Sequence, residues 1–286
     1  MKEKFGLSTL FQKEKFKDIK FDIVFLIGQS NAEGHGAGEV ENEYVPCDEV
    51  FQFADSYPVM YRANEKGIEE LDVPEETTYR ITVAKENTRK GVGKLGCFGI
   101  YFAKRYYEDF CKGKGRCVLL LRCAIGGSGF MRKQWTADGV LYKRAMEMAK
   151  IALSLNEENR IAAILWHQGE NEVVDGKNLD YNSLYSFYKN ELTGLISNIR
   201  KNSDFSAAPF IAGGFSEDWR PRFAEGSLAV TVATLDTLSA FQRTAFVDVQ
   251  GLKSNDSIFK DGDDIHFCRK ALYELADRYY QKFLST

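Results

Sequence analysis

No apolar run in this chain approaches the roughly 18 residues that a membrane-spanning helix needs, so no membrane role is expected. Positive charge is not in excess: the formal net charge is −3, which gives no electrostatic case for a nucleic-acid partner. The first twenty residues are charged throughout and lack the apolar stretch of a signal peptide, so a cytoplasmic location is expected. The six cysteines are Cys47, Cys97, Cys111, Cys117, Cys123 and Cys268. None forms a Cys-x-x-Cys pair, which argues against a zinc ribbon or a thioredoxin-type site. Several lie in apolar segments, as Cys117 and Cys123 do around a Val-Leu-Leu-Leu-Arg run, and read as reduced structural thiols. Pro-rich and Ser-rich linkers, internal repeats and a P-loop are all missing. A single domain over residues 1–286 is therefore expected. Gly91, Gly93 and Gly96 fit the dinucleotide spacing but follow a charged stretch, where that fingerprint requires a buried strand.

What is present is an alternation of apolar strands and amphipathic helices. Hydrophobic residues make up 44% of the chain, enough for a substantial core. Short apolar runs predict strands near 22–28, 50–53, 116–124, 160–166, 209–215 and 244–249. Helical spacing predicts helices near 98–110, 139–155, 181–201, 223–243 and 268–283. This order implies right-handed crossovers and a three-layer α/β/α sandwich around a central, mostly parallel sheet of five or six strands. Residues 1–20 read as a polar extension, and 54–95 as a long insertion or loop region.

The first strand, 22–28, carries one charge, Asp22, at its entrance and stops at Gly28-Gln29-Ser30-Asn31. A serine at the carboxyl end of a buried parallel strand is a candidate nucleophile, because ligands bind at that sheet edge. Its alternative role is to cap the next helix, together with Asn31. Two further strands end in polar, glycine-containing turns, Ile125-Gly126-Gly127-Ser128-Gly129 and His167-Gln168-Gly169-Glu170-Asn171. In a parallel sheet all three turns emerge on one edge. The Gly126-Gly127 pair can present backbone N–H groups as an oxyanion hole, with the Gln168 amide and the Ser30 N–H as further donors. The base must be one of only three histidines. His266 follows Asp263 by three residues, close enough in a turn for the carboxylate to accept from Nδ1–H and leave Nε2 free. Ser128 is a second serine candidate but lacks the glycine that a Gly-x-Ser-x-Gly elbow requires. His167 and Glu170 have no third ligand at metal spacing, and His35 lies between two glycines as a weak candidate for substrate contact. Trp135 and Trp219 suit stacking on sugar rings if they line the pocket.

Assembled, these residues resemble the SGNH hydrolase superfamily, and within it the carbohydrate acetylesterase branch of sialate O-acetylesterases and acetylxylan esterases. The matching blocks are Gly28-Gln29-Ser30-Asn31, the Ala124-to-Ser128 turn, Trp166-x-Gln168-Gly169-Glu170, and Asp263-x-x-His266, in that order. The resemblance implies a flavodoxin-like sandwich and a Ser-His-Asp mechanism through an acetyl-enzyme. It implies Ser30 as nucleophile, His266 as base, Asp263 as its partner, and Ser30, Gly127 and Gln168 as the oxyanion hole. Asp261 or Asp264 could replace Asp263, Gly126 could replace Gly127, and Asn171 is the alternative to Gln168. Gln29, Asn31, Gly126, Glu170 and Trp135 are expected around the pocket. No metal and no organic cofactor are implied, and the implied substrate is an acetylated carbohydrate. The rival expectations are a non-catalytic carbohydrate-binding protein on this scaffold and a lipase or thioesterase of the same superfamily.

Overall fold

In the computed structural model, residues 9–39, 47–55, 60–63, 69–72, 77–85 and 94–286 are described. The strands in the first half are β1 (Thr9–Leu10), β2 (Lys20–Gly28), β3 (Gly36–Ala37), β4 (Val50–Asp55), β5 (Met60–Ala63), β6 (Glu69–Asp72), β7 (Thr78–Val83) and β8 (Lys94–Gly96). Those in the second half are β9 (Arg116–Ala124), β10 (Arg160–His167), β11 (Phe210–Gly213) and β12 (Thr244–Val247). The helices are α1 (Ser30–Glu33), α2 (Phe98–Tyr106), α3 (Val140–Leu153), α4 (Glu170–Asp175), α5 (Tyr181–Arg200), α6 (Ser203–Ser206), α7 (Ala224–Ser239), α8 (Asn255–Phe259) and α9 (Arg269–Leu284).

Strand β2 is buried on both faces, and its side chains explain the layering. Phe21, Ile23, Phe25 and Ile27 point into one apolar cluster, shared with α3, α5 and α7. Val24 and Leu26 point into a second, shared with α2 and α9. Each such side chain withdrawn from water contributes about 1.5–3 kcal/mol. The main sheet runs β1-β7-β4-β9-β2-β10-β11-β12. Its six strands from β4 to β12 are mutually parallel, and these are the six that the apolar runs predict.

The sheet has eight strands rather than five or six. The two additions, β1 and β7, come from segments expected to be extension and loop. Strand β7 buries Tyr79 and Ile81 and exposes Arg80 and Thr82. That alternation over one short segment suffices to pair it antiparallel with β4, and β1 then adds to its far side as the edge strand. Strands β5 and β6 form a separate antiparallel pair within the same region. Of the Gly91–Gly93–Gly96 spacing, Gly91 and Gly93 lie outside the described residues; Gly96 ends β8.

Because β2 lies between β9 and β10, the three glycine-containing turns meet. Gly28 is in register with Ala124 on one side and with His167 on the other. The amino-terminal ends of the same strands are tied together by Asp22, fully buried, which pairs with Arg116 and Arg160. No helix among the described residues is long and apolar enough to cross a membrane. All six cysteines are free thiols.

Candidate active site

The turn after β2 is built on Gly28. Its φ is +141°, and a Cβ there would lie 2.1 Å from the His167 carbonyl oxygen, so only glycine fits. The Gln29 N–H donates to that same carbonyl at 3.0 Å. Ser30 then opens α1, where its own N–H has no intrahelical acceptor. The Gln29 side-chain oxygen accepts from the N–H groups of Gly169 and Asn171, at 3.3 and 3.2 Å. Asn31 is no helix cap. Its amide donates to Glu170 at 2.9 Å and to the Ile265 carbonyl at 3.2 Å, and its oxygen accepts the Phe267 N–H at 3.1 Å. The serine turn is thereby fastened both to α4 and to the loop that carries His266.

On that loop, His266 Nδ1 lies 2.8 and 3.0 Å from the two Asp263 oxygens. Burial alone would raise the Asp263 carboxyl, but hydrogen bonds from His266 and Asn255 outweigh it and hold the group below the usual carboxylate range. A charged Asp263 fixes the Nδ1–H tautomer and leaves Nε2 as the acceptor. Asp264 pairs with Arg222 instead, and Asp261 accepts the Asp263 N–H. Asn255, absent from every sequence motif, is fully buried at the start of α8. Its amide nitrogen donates to Asp263 and to the His35 carbonyl, both at 2.9 Å, and its own N–H donates to the His266 carbonyl.

Ser30 and His266 line one cavity of about 290 Å³, with Gly126, Gly127, Glu170 and Asn171. Among the two glycines, the Gly126 N–H donates to Glu33 at 2.7 Å. Gly127 turns with φ +70°, and its N–H has no acceptor among the described residues. Gln168 does not reach the cavity. Its amide donates to the Ser128 carbonyl and to Glu172, and it receives the Tyr188 hydroxyl. The cause is Gly169, whose φ of +139° reverses the chain so that α4 begins at once and returns Glu170 and Asn171 to the cavity. Asn171 therefore stands where Gln168 was expected. Its amide nitrogen spends one hydrogen on Asp175 at 2.8 Å and keeps another.

Trp135 is also misplaced by the sequence reading. It is fully buried, donates its indole N–H to Ser128 at 3.0 Å and packs edge-on against Trp166. Trp219 is buried against Phe215 and Phe223. Ser128 donates back to the Gly28 carbonyl, which makes it a strut of the turn. Glu170 is buried at the cavity wall, 4.0 Å from His167 Nε2. Burial pushes His167 down to about 3, which keeps its ring neutral, and burial also raises Glu170. His35 belongs to the cavity as well, its ring stacked on that of His266.

A doubly covered parallel sheet, with a serine after a central strand and an Asp-paired histidine before the last helix, defines an SGNH-type hydrolase fold. The family described as "Carbohydrate esterase, sialic acid-specific acetylesterase" matches residues 20–285, and the chain belongs to it. A probable carbohydrate esterase of Arabidopsis thaliana is 26% identical over 173 residues, covering 58% of this chain and 55% of that protein, so the match spans about half of the relative's length. Among solved structures, an Arabidopsis thaliana protein superposes with a TM-score of 0.65 at 21% identity, covering 93% of this chain and 99% of that one. NanS does so with a TM-score of 0.67 at 18% identity, covering 94% and 97%. A carbohydrate acetylesterase from Xanthomonas citri gives 0.57 at 16% identity, covering 91% of this chain and 55% of that one. At these identities the structures speak for the fold.

Proposed function

We propose that this protein is a serine esterase that removes O-acetyl groups from a carbohydrate. One observation carries the reading: Ser30 and His266 line the same cavity with Gly127 and Asn171, while Asp263 holds the far nitrogen of His266. Membership of the carbohydrate esterase family supports the substrate class. The cavity supports a short acyl group, because among the described residues only Val174 and Ile265 offer it apolar side chains. A lipase would need a long apolar channel for its acyl chain.

In this mechanism Ser30 Oγ attacks the ester carbonyl as His266 Nε2 takes its proton. The tetrahedral oxyanion is held by the N–H groups of Ser30 and Gly127 and by the Asn171 amide. Collapse breaks the ester C–O bond, and His266 returns the proton to the leaving sugar oxygen. Water, deprotonated by the same histidine, then cleaves the acetyl-enzyme and releases acetate.

The test is acetate release from acetylated xylan, O-acetyl sialic acids and simple sugar acetates. The intact protein should release acetate from at least one, and Ser30→Ala should lose activity by about 10⁴-fold or more. Full activity in Ser30→Ala places the nucleophile elsewhere. Sugar binding without any release by the intact protein makes it a binding protein.

A further inference from the structure

Glu172 is a buried carboxyl that no step above uses. It lies on α4, next to Asn171, and is fully buried. One of its oxygens accepts the Phe130 N–H and, at 3.4 Å, the Met131 N–H; the other accepts from Gln168. A Cβ on Gly129 would fall 2.2 Å from the Glu172 oxygen and 3.1 Å from the Asn171 amide nitrogen. The Gly127 turn and the helix bearing Asn171 thus close on each other through this carboxyl, with no room for a side chain between them.

We infer that Glu172 is a positioning residue: it clamps the 126–131 turn onto α4 and so sets the spacing between the Gly127 N–H and the Asn171 amide. The inference rests on the esterase reading, since that spacing matters only if both donors face an oxyanion. Burial pushes the Glu172 carboxyl up to about 7. Below that value the clamp is a neutral acid, with one oxygen accepting from the Phe130 N–H and the other from the Gln168 amide nitrogen. Above it, a buried negative charge sits beside the donors that must bind a negative oxygen. Around it, Tyr188 of α5 is raised well above its ordinary value and stays neutral, and Glu170 on its own helix is also raised. Arg132, at the end of the turn, is paired with Asp175.

The experiment compares the intact protein with Glu172→Gln and Glu172→Ala, reading kcat and KM on p-nitrophenyl acetate from pH 5 to 8.5. Glu172→Ala should lower kcat by about 10- to 100-fold with KM nearly unchanged, short of the loss from deleting a donor outright. Glu172→Gln, isosteric with the neutral acid, should keep most of kcat at pH 6, with the Gln168 amide turned so that its oxygen accepts from the new NH2. The kcat of the intact protein should fall above about pH 7, and that fall should vanish in Glu172→Gln. A second reading needs no turnover. A carboxyl raised from 4.5 to about 7 stabilises the fold at low pH and loses that contribution as pH rises through about 7. The melting temperature should therefore decline across that range in the intact protein and less in Glu172→Gln. The inference is overturned if Glu172→Gln is as impaired as Glu172→Ala, or if its kcat falls at the same alkaline midpoint. If no ester is turned over by any form while the melting profiles differ as described, the esterase reading fails and the clamp stands.

Discussion

His35 stacks on His266: their ring centroids are 4.8 Å apart and their planes 29° from parallel. His35 is held in turn by Glu33, its Nε2 lying 3.2 Å from the carboxylate that also accepts the Gly126 N–H. Burial would raise Glu33, but His35 and the Gly126 N–H outweigh it and keep the group charged. The proposed base therefore rests against a wall fastened to the oxyanion turn. An aromatic pair of this kind contributes about 0.5–1.5 kcal/mol, which in an activation barrier amounts to roughly 2- to 10-fold. His35→Ala should lower kcat by that factor, and His35→Phe should recover most of it by restoring the flat surface. Equal kcat in all three proteins means that the stack does not hold His266 in place.

The donor that completes the oxyanion hole can be chosen between two neighbours. Asn171→Ala should lower kcat by about 10²- to 10³-fold with little change in KM. Gln168→Ala should act mainly on stability, by about 1–3 kcal/mol, because it leaves the Ser128 carbonyl and one Glu172 oxygen without their donor. Chemical denaturation and steady-state kinetics on both variants separate the two. The reverse pattern returns the role to Gln168.

These two residues also mark where sequence stops being informative. The place of Ser30 at a strand end, the Gly126-Gly127 turn beside it and the contact of His266 with Asp263 were legible because each depends on local geometry: a strand end, a glycine turn, a three-residue spacing. Gln168 and Asn171 differ only in which one the chain turns toward the cavity. The positive φ at Gly169 decides that, and glycine adopts it as readily as the alternative. Asn255 and His35 carry no motif; the Asn255 amide meets the His35 carbonyl across 220 positions of sequence. Trp135 looked like a sugar platform because aromatic character is visible in sequence, whereas its burial beneath Ser128 is not. The six parallel strands were legible as continuous apolar runs, and β7 was not, since its alternation is short and lies within a charged segment.

Asn255 should prove as important as its contacts suggest. Asn255→Ala removes the amide from half-buried Asp263 and the acceptor of the buried Ala37 N–H, and should cost about 1–3 kcal/mol in stability along with some kcat. Asn255→Asp is the sharper variant. It places a second carboxylate against Asp263, and like charges raise each other's pKa. The acid limb of the kcat profile should then move to higher pH than in Asn255→Ala. Identical acid limbs in the two variants mean that this side chain does not govern the charge on Asp263.

Stability should be governed from the opposite edge of the sheet. Asp22 is fully buried, and Arg116 and Arg160 each hold it at 2.8 Å through Nε while the Tyr106 hydroxyl donates at 2.7 Å. Burial would raise this carboxyl, but Arg160, Tyr106 and Arg116 together lower it below its ordinary 3.8. A carboxyl lowered by folding stabilises the native state above its unfolded value and loses that contribution as pH falls through the folded one. Breaking a buried pair costs about 3–5 kcal/mol, and Arg160, being 60% exposed, places this case near the lower end. Urea unfolding of Asp22→Asn at pH 7 should show a deficit of roughly 3 kcal/mol. The deficit should shrink as pH falls below 3.8, the ordinary value at which the unfolded carboxyl takes up its proton, toward the lower value of the native one. A deficit independent of pH assigns the effect to packing around Asn at this position and not to the ion pairs.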